Sequence, residues 1–405
     1  MPKSSQIAEV ASPPPRGAAL RLAPPYARAA LESLVARHGS PLLVIDCDQL
    51  RGQYRRLAAA LPGVALHYAL KPLPQPVVVA TLSAEGAGFD VATSGEIDLV
   101  RAARVSPQRC IHTHPIKRDA DIRDALRFGI RCFVADNADE LGKFVRHRQR
   151  AELLLRIAFS APDAVCDLSR KFGCEPRAVP ELLALARRLG VRVTGLSFHV
   201  GSQVSSPAMY VRAIDACGAL VAAARAAGSA ELTRLDIGGG FPVDYGAGAP
   251  PIEEFCAPIR ASLARLPAGL RVLAEPGRYI AAPAGLCIAT VVGRAERDGR
   301  WWYYLDDGVY GSFSGQLCDH ARYPVDSLRS DGPRSPSVLA GPTCDSIDVI
   351  AEDVLLPRLE IGDLVVGRMM GAYTIASASD FNFVRRARVV PVNVADDAAP
   401  RELAR

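Results

Sequence analysis

Val64-Ala65-Leu66-His67-Tyr68-Ala69-Leu70-Lys71 is a short apolar run that ends in one lysine. Such runs suit strands buried on both faces of a parallel sheet. A cation at the tip must meet water, a carboxylate or a ligand, because an unpaired buried ammonium is costly. Taken alone, the plainer reading is a strand end reaching solvent. The other reading is a nucleophilic amine at the mouth of a barrel, and the rest of the chain decides between them.

Outward from this run a rhythm appears. Apolar runs recur at Val64–Leu70, Gly88–Ala92, Cys110–Thr113, Arg131–Ala135, Glu152–Ala158, Val191–Val200, Leu232–Ile237 and Leu270–Ala274. Helical spacing lies between them, as in Asp119–Phe128 and Val179–Leu189. Strands alternating with helices in this way predict a (β/α)8 TIM barrel, an α/β fold. An open doubly wound sheet fits less well, because the one glycine triplet, Gly238-Gly239-Gly240, lies far from the first strand. After Ile280 the runs turn aromatic and alternating, separated by turns such as Asp307-Gly308. They predict a C-terminal antiparallel β-domain. The expected division is a disordered leader over 1–25, an N-terminal helix over 26–40, the barrel over 41–280 and the β-domain over 281–405.

Composition narrows the function classes. The chain has 405 residues, 49% hydrophobic and 22% charged, with a net charge of +5. That length supports two sizeable cores. No apolar run approaches the ~18–20 residues that span a bilayer. Basic residues are scattered among acids, so neither nucleic acid nor membrane is an expected partner. Met1–Arg16 lacks the apolar segment of a secretory signal, which suggests a cytoplasmic protein. The ten cysteines form no C-x-x-C pair. They read as reduced thiols, and no metal site is expected.

In a TIM barrel the chemistry sits at the C-terminal ends of the strands. Those ends supply Lys71, Asp90, His112 and His114, Asp136, Arg156, His199 with Ser202, the glycine triplet, and Glu275 with Arg278. Any one of them is unremarkable at a strand end. Together, a glycine nest and an arginine suit a phosphate, a lysine can form a Schiff base, and a glutamate can hold a pyridine nitrogen protonated. The set points to pyridoxal 5'-phosphate.

The same residues carry a resemblance. Gly88-Phe-Asp-Val-Ala-Thr, Leu168-Ser-Arg-Lys-Phe-Gly, Gly195-Leu-Ser-Phe-His-Val-Gly-Ser-Gln, Leu235-Asp-Ile-Gly-Gly-Gly-Phe-Pro, Glu275-Pro-Gly-Arg, Gly341-Pro-Thr-Cys-Asp-Ser and Gly371-Ala-Tyr-Thr follow one another in order. From about Pro41 to Phe383 the chain resembles the pyridoxal-phosphate decarboxylases of the alanine-racemase-like fold, nearest the ornithine/lysine branch. The resemblance implies that Lys71 holds the cofactor, His199 stacks on its ring and Glu275 pairs with its nitrogen. Asp90 and Arg156 line the site, and Ser202, Gly239, Gly240, Arg278 and Tyr373 hold the phosphate. It further implies a homodimer with shared sites. There Cys344 returns a proton, Asp345 and Asp319 meet the substrate's distal amine, and Lys171 and Asp348 pair across the interface.

Two carboxylates suit a cationic amine, whereas a distal carboxylate would want an arginine. The expected reaction is therefore decarboxylation of a basic diamino acid, ornithine to putrescine first. Lysine, another diamino acid or a siderophore intermediate is the enzymatic alternative, and an inactive regulatory homologue is the non-enzymatic one. Two departures stand out. Pro72-Leu73-Pro74 follows the lysine where the family has Ala-Asn or Cys-Asn, and Phe383 stands where the family has glycine.

Overall fold

In the computed structural model, which describes residues 26–159, 170–246 and 248–395, eight parallel strands close into a barrel. The strand before it, β1 (Leu42–Asp46), is not part of the barrel. The barrel strands are β2 (Ala65–Ala69), β3 (Gly88–Val91), β4 (Cys110–His112), β5 (Cys132–Ala135), β6 (Glu152–Ile157), β7 (Val193–Phe198), β8 (Arg234–Asp236) and β9 (Arg271–Ala274). Each lies within one of the eight apolar runs. β9 closes the ring onto β2 through Ala65↔Leu273 and Leu66↔Ala274. Helices cover the outside, their starts marked by caps such as Thr93, which accepts from Glu96 N at 3.3 Å, and Asn137, which accepts from Glu140 N at 3.0 Å.

The second sheet is mixed. It comprises β1, β10 (Gly285–Arg297), β11 (Arg300–Leu305), β12 (Val325–Ser327), β13 (Ser335–Ala340), β14 (Val349–Leu356), β15 (Leu364–Gly367) and β16 (Arg388–Val392). Most pairings are antiparallel, but β1 pairs parallel to β16 and β11 parallel to β13. A boundary at residue 41 gives β1 the wrong neighbours. Its five residues are all buried, and it inserts between β10 and β16. The reason is that an apolar strand suits either a barrel or a sheet buried on both faces, and local sequence does not choose between them. The expected leader over 1–25 lies outside the described residues. Among the described residues no helix is long and apolar enough to cross a membrane.

One side chain ties the two parts together. Asp46, 1% exposed, ends β1 and caps helix Cys47–Ala60, accepting from Asp48 N at 2.9 Å and Gln49 N at 3.4 Å. It also accepts from Tyr26 Oη and Asn393 Nδ2, each at 2.7 Å. A cap and two side-chain bonds meet on one buried carboxylate. We predict that Asp46→Ala lowers stability by about 2–4 kcal/mol. Asp46→Asn, which keeps an acceptor for the cap, loses less. Denaturant midpoints of the variants measure both.

Candidate active site

The rim formed by the strand ends surrounds a cavity of about 350 Å³. Lys71, Asp90, Arg156 and His199 line it, each at or just past the end of its strand. Ser202, Gly239, Gly240, Glu275 and Arg278 line it from the three loops that follow β7, β8 and β9. Asp319 and Tyr373 reach it from the β-domain. The barrel rim and the β-domain therefore build one site.

Lys71 is open to the cavity. Desolvation pulls its amine down, but Tyr373, Asp90 and Glu275 outweigh this and hold its pKa above the ordinary value. Pro72 shapes the loop behind it. The Pro72 carbonyl accepts from Tyr373 N at 3.0 Å, and a Cβ on Gly277 would lie 2.7 Å from Pro72 Cγ. The proline thus wedges the lysine loop against two other loops of the site, while Leu73 is fully buried.

Three carboxyl groups crowd together here in little water, and two of them, Asp90 and Glu275, act on the lysine. Glu275 is 6% exposed, and its Oε1 has no hydrogen-bond partner. Burial, then the charge of Asp236, raises its pKa well above the carboxylate range. Burial pushes Asp236 up to about 6. Burial, then the charge of Glu275, pushes Asp90 up to about 7, although Thr113 Oγ1 donates to it at 2.5 Å. Asp236 Oδ2 is orphaned as well and lies against the Glu275 carboxyl, so the two groups either share a proton or take a donor from outside the chain. His199 accepts from Gly201 N at 3.1 Å through Nδ1, which puts its proton on Nε2. Burial, followed by Lys71 and Arg156, keeps the ring neutral.

Beyond β8, Gly238–Gly240 bends the chain toward the cavity. Gly240 has φ 111, and a Cβ there would collide with the Gly201 carbonyl. At Gly239 a Cβ would sit 2.5 Å from the Glu275 carbonyl and 3.2 Å from His199 Nε2. Only glycine lets the backbone pass here with its N–H groups available. Beside it, Arg278 is 6% exposed. It donates to Ser202 Oγ at 3.1 and 3.3 Å and to Tyr245 Oη at 3.1 Å, and its guanidinium lies 4.8 Å from the Tyr373 ring centre. Arg278 also forms an ion pair with Asp319. Asp319, expected to meet a substrate amine, is therefore occupied by the arginine.

Cys344 and Asp345 do not line this cavity. They follow β13 on the β-domain surface, where Cys344 is exposed and accepts from Asn382 Nδ2 at 3.1 Å. Asp345 accepts from Tyr310 Oη at 2.5 Å, and Tyr310 stacks on Phe381 with ring centres 4.3 Å apart. Asp348 is 3% exposed and braces the same turn, accepting from Val309 N at 2.8 Å and Thr343 Oγ1 at 2.7 Å. Phe383 stands 95% exposed beside this group with φ 55. Lys171 lies near the cavity, its amine 5.0 Å from the Phe172 ring centre. Of the two histidines at the end of β4, His112 is a core residue. It is fully buried, stacked on Phe133 at 5.7 Å, and burial lowers its pKa to about 3.

Sequence reasoning missed Asp236, Tyr245 and Phe172. Asp236 was within reach, because a lone acid in an apolar strand must find a reason to be there. Tyr245 and Phe172 stand on loops without periodicity.

The chain matches the family profile "Pyridoxal-dependent decarboxylase, pyridoxal binding domain" over residues 47–282. It is 53% identical to the lysine/ornithine decarboxylase of Vibrio vulnificus crystallised with putrescine. That likeness covers 92% of this chain and 100% of the other, with a TM-score of 0.88. It is 35% identical to the lysine/ornithine decarboxylase of Selenomonas ruminantium, covering 87% of this chain and 89% of that protein. It is 34% identical to an ornithine decarboxylase of Caenorhabditis elegans, covering 85% of each. With the barrel, the lysine and the acidic cavity, these matches establish that the chain belongs to the pyridoxal-phosphate-dependent decarboxylases of basic amino acids, near the ornithine decarboxylase branch.

Proposed function

We propose that the chain removes CO2 from a basic diamino acid, with L-ornithine, giving putrescine, as its first substrate. One observation carries this reading: a single cavity joins an open lysine amine, an unpartnered buried carboxyl oxygen at Glu275 and an arginine–glycine anion cradle. L-Lysine is the second reading, favoured because two of the similar proteins are named lysine/ornithine decarboxylases.

The residues present fit pyridoxal phosphate. Glu275 Oε1 finds no ordinary donor in the chain and faces only the Asp236 carboxyl, so a protonated ring nitrogen would give it the donor it lacks. Arg278, Ser202, Tyr373 and the backbone of Gly239 and Gly240 form a cradle for the phosphate. Lys71 would hold the cofactor's aldehyde carbon, with Asp90 and Arg156 behind it. His199, neutral and fixed by Gly201 N, would face the ring. When bound, the cofactor supplies an electron-accepting ring that stabilises negative charge at the α-carbon.

The chain's own residues do the rest. A phosphate that takes the Arg278 guanidinium would free Asp319 for the substrate's distal amine. Cys344 Sγ carries the proton returned to the α-carbon, and Asp345 gives the amine a second carboxylate. Both lie on the exposed face of the β-domain, not in their own chain's cavity, so a second copy must receive them. Exposed Ile347, Phe381 and Phe383 surround them and suit an apolar contact between copies. We therefore read the protein as a homodimer with shared sites, Lys171 and Asp348 belonging to the region where the copies meet.

Three outcomes are expected. CO2 release from a panel of diamino acids should be highest for ornithine, with lysine within roughly 10–200-fold in kcat/KM, since one methylene discriminates weakly. No turnover of any diamino acid would refute the reading. Lys71→Ala should lose both activity and the visible absorbance of the bound cofactor. Mixing Lys71→Ala with Cys344→Ala protein should restore about a quarter of the wild-type sites, because each hybrid keeps one intact pair. Failure to complement, with subunit exchange shown independently, would argue for sites complete within one chain.

A further inference from the structure

His114 lines the cavity beside Lys71 and Arg156, and the roles above leave it unused. Its placement is fixed from several sides. Ile116 N donates to its Nδ1 at 3.1 Å. Its ring meets Phe172 edge-on, with centres 5.5 Å apart and planes at 73°. Phe172 in turn carries the Arg156 guanidinium at 5.5 Å. One residue before, Thr113 Oγ1 is bonded to Asp90.

Three residues after it, Lys117 is 2% exposed and spends its ammonium on this turn. Lys117 Nζ donates to the His114 carbonyl at 2.9 Å, the Pro115 carbonyl at 2.8 Å and the Val134 carbonyl at 2.5 Å, with Glu140 at 3.5 Å as counter-charge. A buried ammonium is an expensive way to fix a surface turn. A turn that positions a side chain for binding gives that expense a purpose.

The tautomer follows from the geometry. Nδ1 is an acceptor, so Nε2 carries the hydrogen. Burial lowers the ring's pKa, the Ile116 contact works against this, and Lys117, Lys171 and Lys71 add to the lowering, so the ring is a neutral donor. The cavity's own carboxyl groups are turned elsewhere: Asp90 to Thr113, Asp319 to Arg278 and Glu275 toward Asp236. An acceptor for Nε2–H must then come from the ligand. A diamino acid brings one anionic group, its α-carboxylate.

We propose that His114 binds the substrate's α-carboxylate through Nε2–H and so orients the bond that breaks when CO2 leaves. The proposal rests on the reading of the chain as a diamino acid decarboxylase. It separates substrate from product, because the diamine has lost the group that His114 holds.

The test compares the holoenzyme with His114→Phe, His114→Ala and His114→Gln. KM and kcat are measured with ornithine, and putrescine affinity is read from its perturbation of the cofactor's visible band. Loss of a bond to a charged acceptor should raise KM for ornithine about 10- to 100-fold in the Phe and Ala variants. Putrescine affinity should stay within about twofold, and the resting band should not move. His114→Gln, which keeps a donor near the Nε2 position, should recover most of the loss. Equal weakening of ornithine and putrescine, an unchanged KM, or a shifted resting band would each overturn the role. If the Phe variant fails to fold, the Ala and Gln pair carries the same comparison. Wild-type protein that decarboxylates no diamino acid would overturn the functional reading as well, whereas wild-type turnover with unchanged variants overturns only the role of His114.

Discussion

Closure of a parallel barrel forces every strand to end on the same rim. Once β9 pairs with β2, Lys71, Asp90, Arg156, His199 and Glu275 cannot avoid one another. The site then becomes a problem in electrostatics. Carboxyl groups and cations share a small volume with little water, and each sets the charge of the next. The glutamate without a partner, the raised carboxyls and the neutral histidine are consequences of that crowding. A cofactor that brings a buried cation and a phosphate resolves much of it.

The β-domain completes the cavity from above and carries a second group on its outer face. Asp319 and Tyr373 close the mouth, while the turn around Cys344 is held ready by Tyr310, Asn382 and Asp348. Under the proposed dimer, the cavity of a second copy would give that thiol and carboxylate something to act on. The left-handed, almost fully exposed Phe383 belongs to that same face.

Much of this was legible in the sequence, for a physical reason. Barrel strands are buried on both faces, so their apolar runs stand out, and barrel chemistry sits where each run stops. That located Lys71, Asp90, Arg156, His199, Glu275 and Arg278. The edge strands β12 and β14 were not legible: β12 is three half-buried residues, and β14 carries exposed Glu352 and Asp353. The place of β1 was ambiguous because its partners lie far away in the chain. The Arg278–Asp319 pair and the Pro72–Tyr373 bond were equally out of reach, since both join distant loops that no periodicity links.

The position of β1 has a further consequence, for how the chain is made. Its four apolar residues pair with Gly285–Ile288, and the whole strand pairs with Arg388–Val392. At typical synthesis rates the last of these partners emerges tens of seconds after β1 does. Until Gly285–Ile288 emerges the whole barrel can form while the strand at its entrance has nothing to pair with, and until the end of the chain its other edge stays open. Such non-local closure slows folding and exposes a sticky edge to other nascent chains. The protein's yield in a cell therefore depends on how well that one early segment is shielded until translation ends.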